Sequence, residues 1–239
     1  MRKIDKPEFA IKEVCDAIPC LKYSERVIEK TNNYDKYIKE LRPLYEDEKN
    51  YISLDNEYKD HMKKMYSERF SNKQYDVYRF YKGIRNSQKS CPYCNIFSHR
   101  ITQVDHYLPK SKFPSLAISP ENLVPICTDC NDEKSNYYSL NRNEMLIHPY
   151  LDDFISNPFD YIKCEIIESI PIGFRIYIDK LENWNECQYN RVRFHFKKLH
   201  LDEIYRTYFE EEFQAYIYEI EELVMENDIE QLKKILCVE

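Results

Sequence analysis

The sequence predicts an α+β fold: a mainly helical chain built around a compact, metal-braced unit near its middle. Three observations predict it. Apolar residues recur at helical spacing in the first 88 residues and again through 201–224. Two Cys-x-x-Cys pairs, Cys91/Cys94 and Cys127/Cys130, bracket a stretch where that periodicity stops. Further on, "KCEIIES" and "FRIYID" are short β-prone runs separated by "IPIG", the pattern of a hairpin. The chain divides accordingly into a helical region at 1–88, the metal-braced unit at 89–145, and an α+β region at 146–239 ending in an acidic amphipathic helix.

In the first region, "YDKYIKEL" puts Tyr34, Ile38 and Leu41 on one helical face, and Pro43 is expected to end that helix. "QYDVYRFYKGI" repeats the pattern with Val77, Tyr81 and Ile84. In the last region Leu201, Ile204, Tyr205, Tyr208, Phe213, Ile217, Ile220 and Val224 form one stripe of a long helix. Such a stripe is expected to be core, the alternative being a docking face for a partner protein. Only Gly83 and Gly173 are glycine, which excludes a Gly-rich phosphate loop.

Charged residues make up 32% of the chain and the hydrophobic set 43%, the balance of a soluble globular protein. No apolar run approaches the roughly 20 residues of a membrane helix. The opening "MRKIDKPEFAIKEV" has no apolar signal core, so no membrane association is expected and the location is cytoplasmic. The net charge of -7 is unevenly spread: residues 61–90 carry +6 and residues 201–239 carry -9. The basic stretch suits phosphate contact, although a solvated helix face would look the same.

Nine cysteines, an odd number in a chain this long, argue against a secreted disulfide framework. Cys91, Cys94, Cys127 and Cys130 instead offer four thiolates for a tetrahedral Zn²⁺ cage. A four-sulfur cage leaves no open position for water, so this zinc is expected to be structural. Cys15, Cys20, Cys164, Cys187 and Cys237 are expected to be small buried apolar residues.

From the insertion between the hooks to just past the second hook run "VDHYLPKS", "ENLVPIC" and "CNDEK", in that order. Asp105 and His106 are adjacent, so on a strand they point to opposite faces. Phosphodiester hydrolysis needs a base for water and a cation for developing negative charge. A neutral imidazole with an ordinary pKa of about 6.5 suits the first role, which falls to His106. Asp105, with Asn131 opening a helix after the last cysteine, offers hard oxygen ligands for Mg²⁺ or Mn²⁺.

The ordered set, about 45 residues from Cys91 to Asn136, resembles the HNH endonuclease family. The resemblance implies a β-hairpin and a helix around one divalent metal, a zinc-braced ββα-metal core. Many relatives carry His at the third signature position; here Asn131 stands there, giving the His-Asn-Asn version. By the same resemblance Asn122 holds the loop and orients His106, and Lys110, Lys112 and Lys134 are candidate phosphate contacts. The implied activity is metal-dependent cleavage of DNA. Together with the downstream "HPYLDDF", the arrangement is more narrowly similar to the nuclease subunits of Septu-type anti-phage systems (PtuB-like), which implies an ABC-type ATPase partner. The competing readings are a non-catalytic zinc module that binds nucleic acid or scaffolds a complex, and the same chemistry on RNA. Of the other histidines, His61 and His99 are expected to be exposed, His148 structural, and His195 and His200 packing or surface residues.

Overall fold

Short amphipathic helices fill the first region. They are α1 (Ile11–Asp16), α2 (Ser24–Asn32), α3 (Tyr34–Glu40), α4 (Asn56–Lys64) and α5 (Tyr78–Asn86). The computed structural model describes residues 1–40, 56–96, 100–155, 157–167, 172–226, 229 and 231. Leu41, Pro43, His99 and Cys237 lie outside them. Helix α4 runs directly into a π-helical turn, Met65–Phe70, in which the Ser71 N–H donates to the Tyr66 carbonyl five residues back at 2.9 Å. The wider turn lets Met65, Tyr66 and Phe70 all face inward, where all three are buried.

In the middle, β1 (Gln103–His106) pairs antiparallel with β2 (Leu123–Ile126), placing Asp105 opposite Val124 and His106 opposite Leu123. The long connection is compacted by two 3₁₀ turns, Pro114–Leu116 and Pro120–Asn122, each entered through a proline whose fixed φ suits that position. Helix α6 (Thr128–Lys134) follows β2 immediately and is capped by Cys127. The expected strand, strand, helix order is present.

The last region contains α7 (Pro158–Tyr161), the hairpin β3 (Ile162–Ile167) and β4 (Gly173–Ile178), α8 (Glu186–Lys198) and α9 (Leu201–Glu226). Asn185 and Gln188 bond each other's backbone N–H and so set the start of α8. His200 is left-handed (φ 48°) and makes the break between α8 and α9. No described helix is long and apolar enough to cross a membrane.

Two hydrophobic clusters hold these elements together. One joins Met1, Ile4 and Tyr34 to the four hook cysteines, Phe113, Ile147, Trp184 and Leu199. The other packs α1, α2, α4 and α5 against Val104, Ala117, Ile118 and Leu123 of the middle unit. Both clusters cross position 88, and the first also crosses 145.

The stripe on α9 is not core as expected. Only Leu201 is buried; Ile204 and Tyr205 pack beside the first cluster, and Tyr208 and Val224 are exposed. At about 1.5 Å per residue, a helix of 26 residues outruns the body it starts from. Beyond its first turns it meets the two-stranded β3–β4 hairpin, where Phe213 packs on Phe174 at 5.2 Å. The scattered cysteines also depart from expectation. Cys15 is buried, but Cys20, in the turn between α1 and α2, and Cys164, on the exposed hairpin strand β3, are exposed, and Cys187 in the first turn of α8 is half-buried.

One buried ion pair locks α8 to the segment that follows the middle unit. The Arg191 guanidinium donates to both oxygens of Asp152 at 2.7 and 2.6 Å and to the Leu146 carbonyl at 2.9 Å. Asp152 also accepts the His148 backbone N–H at 2.6 Å. Removing one partner strands the other charge in the interior. Arg191→Ala is therefore expected to cost about 3–5 kcal/mol in urea denaturation, and adding Asp152→Asn to recover part of that loss.

Candidate active site

The two cysteine hooks are set by local backbone geometry. Asn95 takes a left-handed φ of 59°, which asparagine tolerates, and its N–H closes on the Cys91 carbonyl at 2.7 Å. On the other hook the Cys127 sulfur caps α6 by accepting the Cys130 N–H at 3.5 Å. The four Sγ atoms all lie within 4.8 Å of one another, and all four residues are buried. Zinc–sulfur bonds of about 2.3 Å would space sulfurs about 3.8 Å apart in a tetrahedron. The Cys94–Cys127 separation of 4.0 Å is close to this, so the cluster fits Zn²⁺. Tyr205 of α9 donates its hydroxyl to the Cys94 carbonyl and ties that helix to the hook.

Strand β1 presents Asp105 and His106 to opposite sides. On one side, α6 packs over Gln103 and Asp105. Asn131 lies a turn inside α6 rather than opening it, and its Nδ2 donates to Gln103 Oε1 at 2.6 Å. Because Gln103 and Asp105 share a face, Asn131 meets the same side of the strand as the Asp105 carboxylate. The Asp105 Oδ2 atom is buried and paired with the Lys134 ammonium at 2.7 Å. A carboxylate and an amide oxygen on one side of the strand are a donor set that could hold a hard divalent cation, with water completing the shell.

Lys134 corrects the sequence reading. It was expected at a phosphate, yet it is 1% exposed, with Nζ also donating to the His106 carbonyl at 2.7 Å. The last turn of α6 points inward across β1, so the ammonium is consumed by the strand. Lys112 is exposed, and Lys110 lies partly buried with Nζ 4.7 Å above the Tyr66 ring.

On the other side of β1, His106 is 4% exposed. Its Nε2 donates to the Ala117 carbonyl at 2.9 Å, which leaves Nδ1 as the unprotonated, basic nitrogen. Burial, then the positive charges of Lys110 and Lys134, push its pKa down to about 3, so the ring is neutral. Asn122 does not bond this ring. Its Oδ1 accepts from Leu108 N and the Tyr34 hydroxyl, and its Nδ2 donates to the Leu108 and Leu116 carbonyls. It thereby closes the loop that carries Ala117.

Residues outside the motif complete the support. The Tyr34 hydroxyl also contacts His148 Nε2 at 3.0 Å. His148 Nδ1 accepts from Tyr150 N, which makes Nε2 the protonated nitrogen. A continuous polar chain thus runs from Arg191 through Asp152, His148 and Tyr34 to Asn122. His148 is structural, and so is His195, buried between Ile147 N and the Tyr93 carbonyl with its pKa pushed down to about 3 by burial. His61 is half-buried and accepts Lys22 N, while His200 is exposed. Tyr34, Tyr66 and Arg191 were not singled out from the sequence as site residues; "HPYLDDF" was the one signal near any of them.

Residues 91–137 match the family described as HNH endonuclease. They form an HNH endonuclease-family domain. Among known proteins, the chain is 28% identical to protein ea31 of Escherichia phage lambda over 147 residues, 61% of this chain and 49% of that one. It is 32% identical to the Septu protein PtuB of Bacillus thuringiensis over 83 residues, 34% of this chain and 30% of that one. The chain therefore spans half or less of the relatives it matches. No solved structure matches the chain significantly. Most of ββα geometry described above, from the first hook through α6, falls inside the HNH domain, whereas Tyr34, Tyr66, His148 and Arg191 fall outside it.

Two outcomes are expected. The protein should bind one Zn²⁺ through the cage, and Cys130→Ser should lower zinc content and aggregate or unfold the chain, since closed zinc sites contribute on the order of 10 kcal/mol to folding. Elemental analysis with circular dichroism reads both. Separately, the buried imidazoles of His106 and His195 resist protonation in the folded chain but not in the unfolded one. Stability is accordingly lost as pH falls from about 6.5 toward about 3. Their imidazole ¹⁵N signals should still report the neutral form at about pH 5.

Proposed function

We propose that this chain is a metal-dependent endonuclease that hydrolyses DNA phosphodiester bonds through its HNH domain. The observation that carries the reading is the division of labour on β1: a neutral imidazole with its tautomer fixed on one side, and on the other a carboxylate paired with Lys134 on the face that Asn131 also meets. His106 Nδ1 takes a proton from water as the new O–P bond forms, and the bond from phosphorus to the leaving oxygen breaks. Asp105 and Asn131 would hold Mg²⁺ or Mn²⁺, which would supply stabilisation of the charge that develops on that oxygen. Asn122 keeps the Ala117 loop closed, and Lys110 and Lys112 contact phosphates of the bound strand. Lys134 holds Asp105 in place from within.

A base with so low a resting pKa is weak. A bound phosphodiester anion beside it favours the imidazolium and raises that pKa within the complex, which moves His106 toward the range a general base needs.

The likeness to the Septu protein PtuB supports an anti-phage role, and the Septu-type resemblance brings with it an ABC-type ATPase partner. The acidic outer face of α9, with Tyr208, Tyr218 and Met225 exposed, is the docking surface this reading assigns to that partner. A net charge of -9 across residues 201–239 suits contact with a basic protein surface and disfavours contact with DNA.

The test is cleavage of supercoiled plasmid with Mg²⁺, with chelator, and by His106→Ala. Loss of the base is expected to slow cleavage roughly 10²–10⁴-fold while zinc content stays at the wild-type level. Undiminished cleavage by the variant would remove His106 from the chemistry. Cleavage of RNA in preference to the plasmid would change the substrate.

A further inference from the structure

The Ala117 carbonyl fixes one nitrogen of His106, but a single hydrogen bond leaves the imidazole free to tilt about it. A second constraint comes from a residue outside the HNH domain. Tyr66, in the π-helical turn, sets its ring at 4.4 Å and 61° to the imidazole, an edge-on contact. Its hydroxyl donates to the Val104 carbonyl at 3.2 Å, two residues before His106 on the same strand.

Tyr66 is itself held firmly. The Ser71 N–H and Oγ both donate to its carbonyl, at 2.9 and 3.0 Å, and Phe70 stacks on its ring at 5.9 Å. On this same ring rests the Lys110 ammonium, 4.7 Å from the centroid. A cation over an aromatic face is attracted to it and keeps its position without a carboxylate partner. One buried aromatic ring therefore touches both the imidazole and the Lys110 ammonium.

We infer that Tyr66 is a positioning residue, which fixes the plane of the His106 imidazole and parks Lys110 beside it for the scissile phosphate. The inference rests on the nuclease reading above for its link to catalysis. The ring does the positioning and the hydroxyl anchors the strand, so the two parts separate by substitution. Tyr66→Phe keeps the ring and loses the bond to Val104. Tyr66→Leu loses the ring.

The experiment compares zinc-loaded wild type, Tyr66→Phe and Tyr66→Leu in plasmid cleavage with Mg²⁺ and in the ¹⁵N signals of His106 without DNA. Tyr66→Leu is expected to lower kcat about 100-fold with KM changed only a few-fold, the pattern of a displaced catalytic group. Its His106 signals should broaden or show both tautomers. Tyr66→Phe should retain the single wild-type tautomer and lose no more than about ten-fold in kcat. Wild-type kcat and unaltered signals in Tyr66→Leu would overturn the inference. Equal losses in both variants would overturn it too, assigning the effect to the strand anchor. Should Tyr66→Leu fail to fold, Tyr66→Met, closer in volume, takes its place; failure of both makes Tyr66 a core residue only and also overturns the proposal. A wild type that cleaves no nucleic acid would instead overturn the nuclease reading, and the imidazole signals would still decide whether Tyr66 fixes the ring.

Discussion

The cage of Cys91, Cys94, Cys127 and Cys130 is the constraint on which the rest of the site depends. Strands β1 and β2 are four residues each, and an isolated two-stranded ribbon of that length is not stable in water. Cys94 and Cys127 are 33 positions apart, so the chain must close a long loop before either strand gains from pairing. A zinc ion held by the four sulfurs would offset that closure. It also sets where α6 begins, because Cys127 is both a cage sulfur and the helix cap. The position of Asn131 and Lys134 over β1 follows from that start.

With α6 fixed, the alternation of a β-strand does the remaining sorting. Asp105 faces the helix and the Lys134 ammonium; His106 faces the helical region and the Ala117 loop. The carboxylate lies beside a buried cation, while the imidazole stays neutral in a drier environment. Two adjacent residues thus occupy different electrostatic surroundings separated by the thickness of one strand. The polar chain from Arg191 to Asn122 extends this order outward, since each buried donor along it finds an acceptor.

What was legible in the sequence was whatever covalent spacing or strict period determines. Metal chemistry fixes the Cys-x-x-Cys spacing, and strand alternation separates Asp105 from His106, so both could be read directly. The mainly helical fold and the β3–β4 hairpin were legible for the same reason. Lys134 was not, because a lysine in a polar run looks solvated until the orientation of the helix over the strand is known. Tyr66 was hidden by the π turn, which breaks the 3.6-residue period used to sort faces. The α9 stripe misled in another way: periodicity reveals that a helix has an apolar face, but not whether enough protein stands opposite to cover it. The exposed Cys20 and Cys164 show that residue type alone does not fix burial.

The two hydrophobic clusters, shared across segments, bear on how far the HNH domain is a separable part. Val104, Ala117, Ile118 and Leu123 of the HNH domain complete a core otherwise built from the N-terminal helices. The hook cysteines are packed by Met1, Ile4, Trp184 and Leu199 from both ends of the chain. Cut out as a cassette, residues 91–137 would bare both surfaces, and set into a different host they would lack the walls that shape their catalytic strand. The recognisable signature therefore carries surfaces that the rest of this chain covers, and the separable physical unit is larger than the motif.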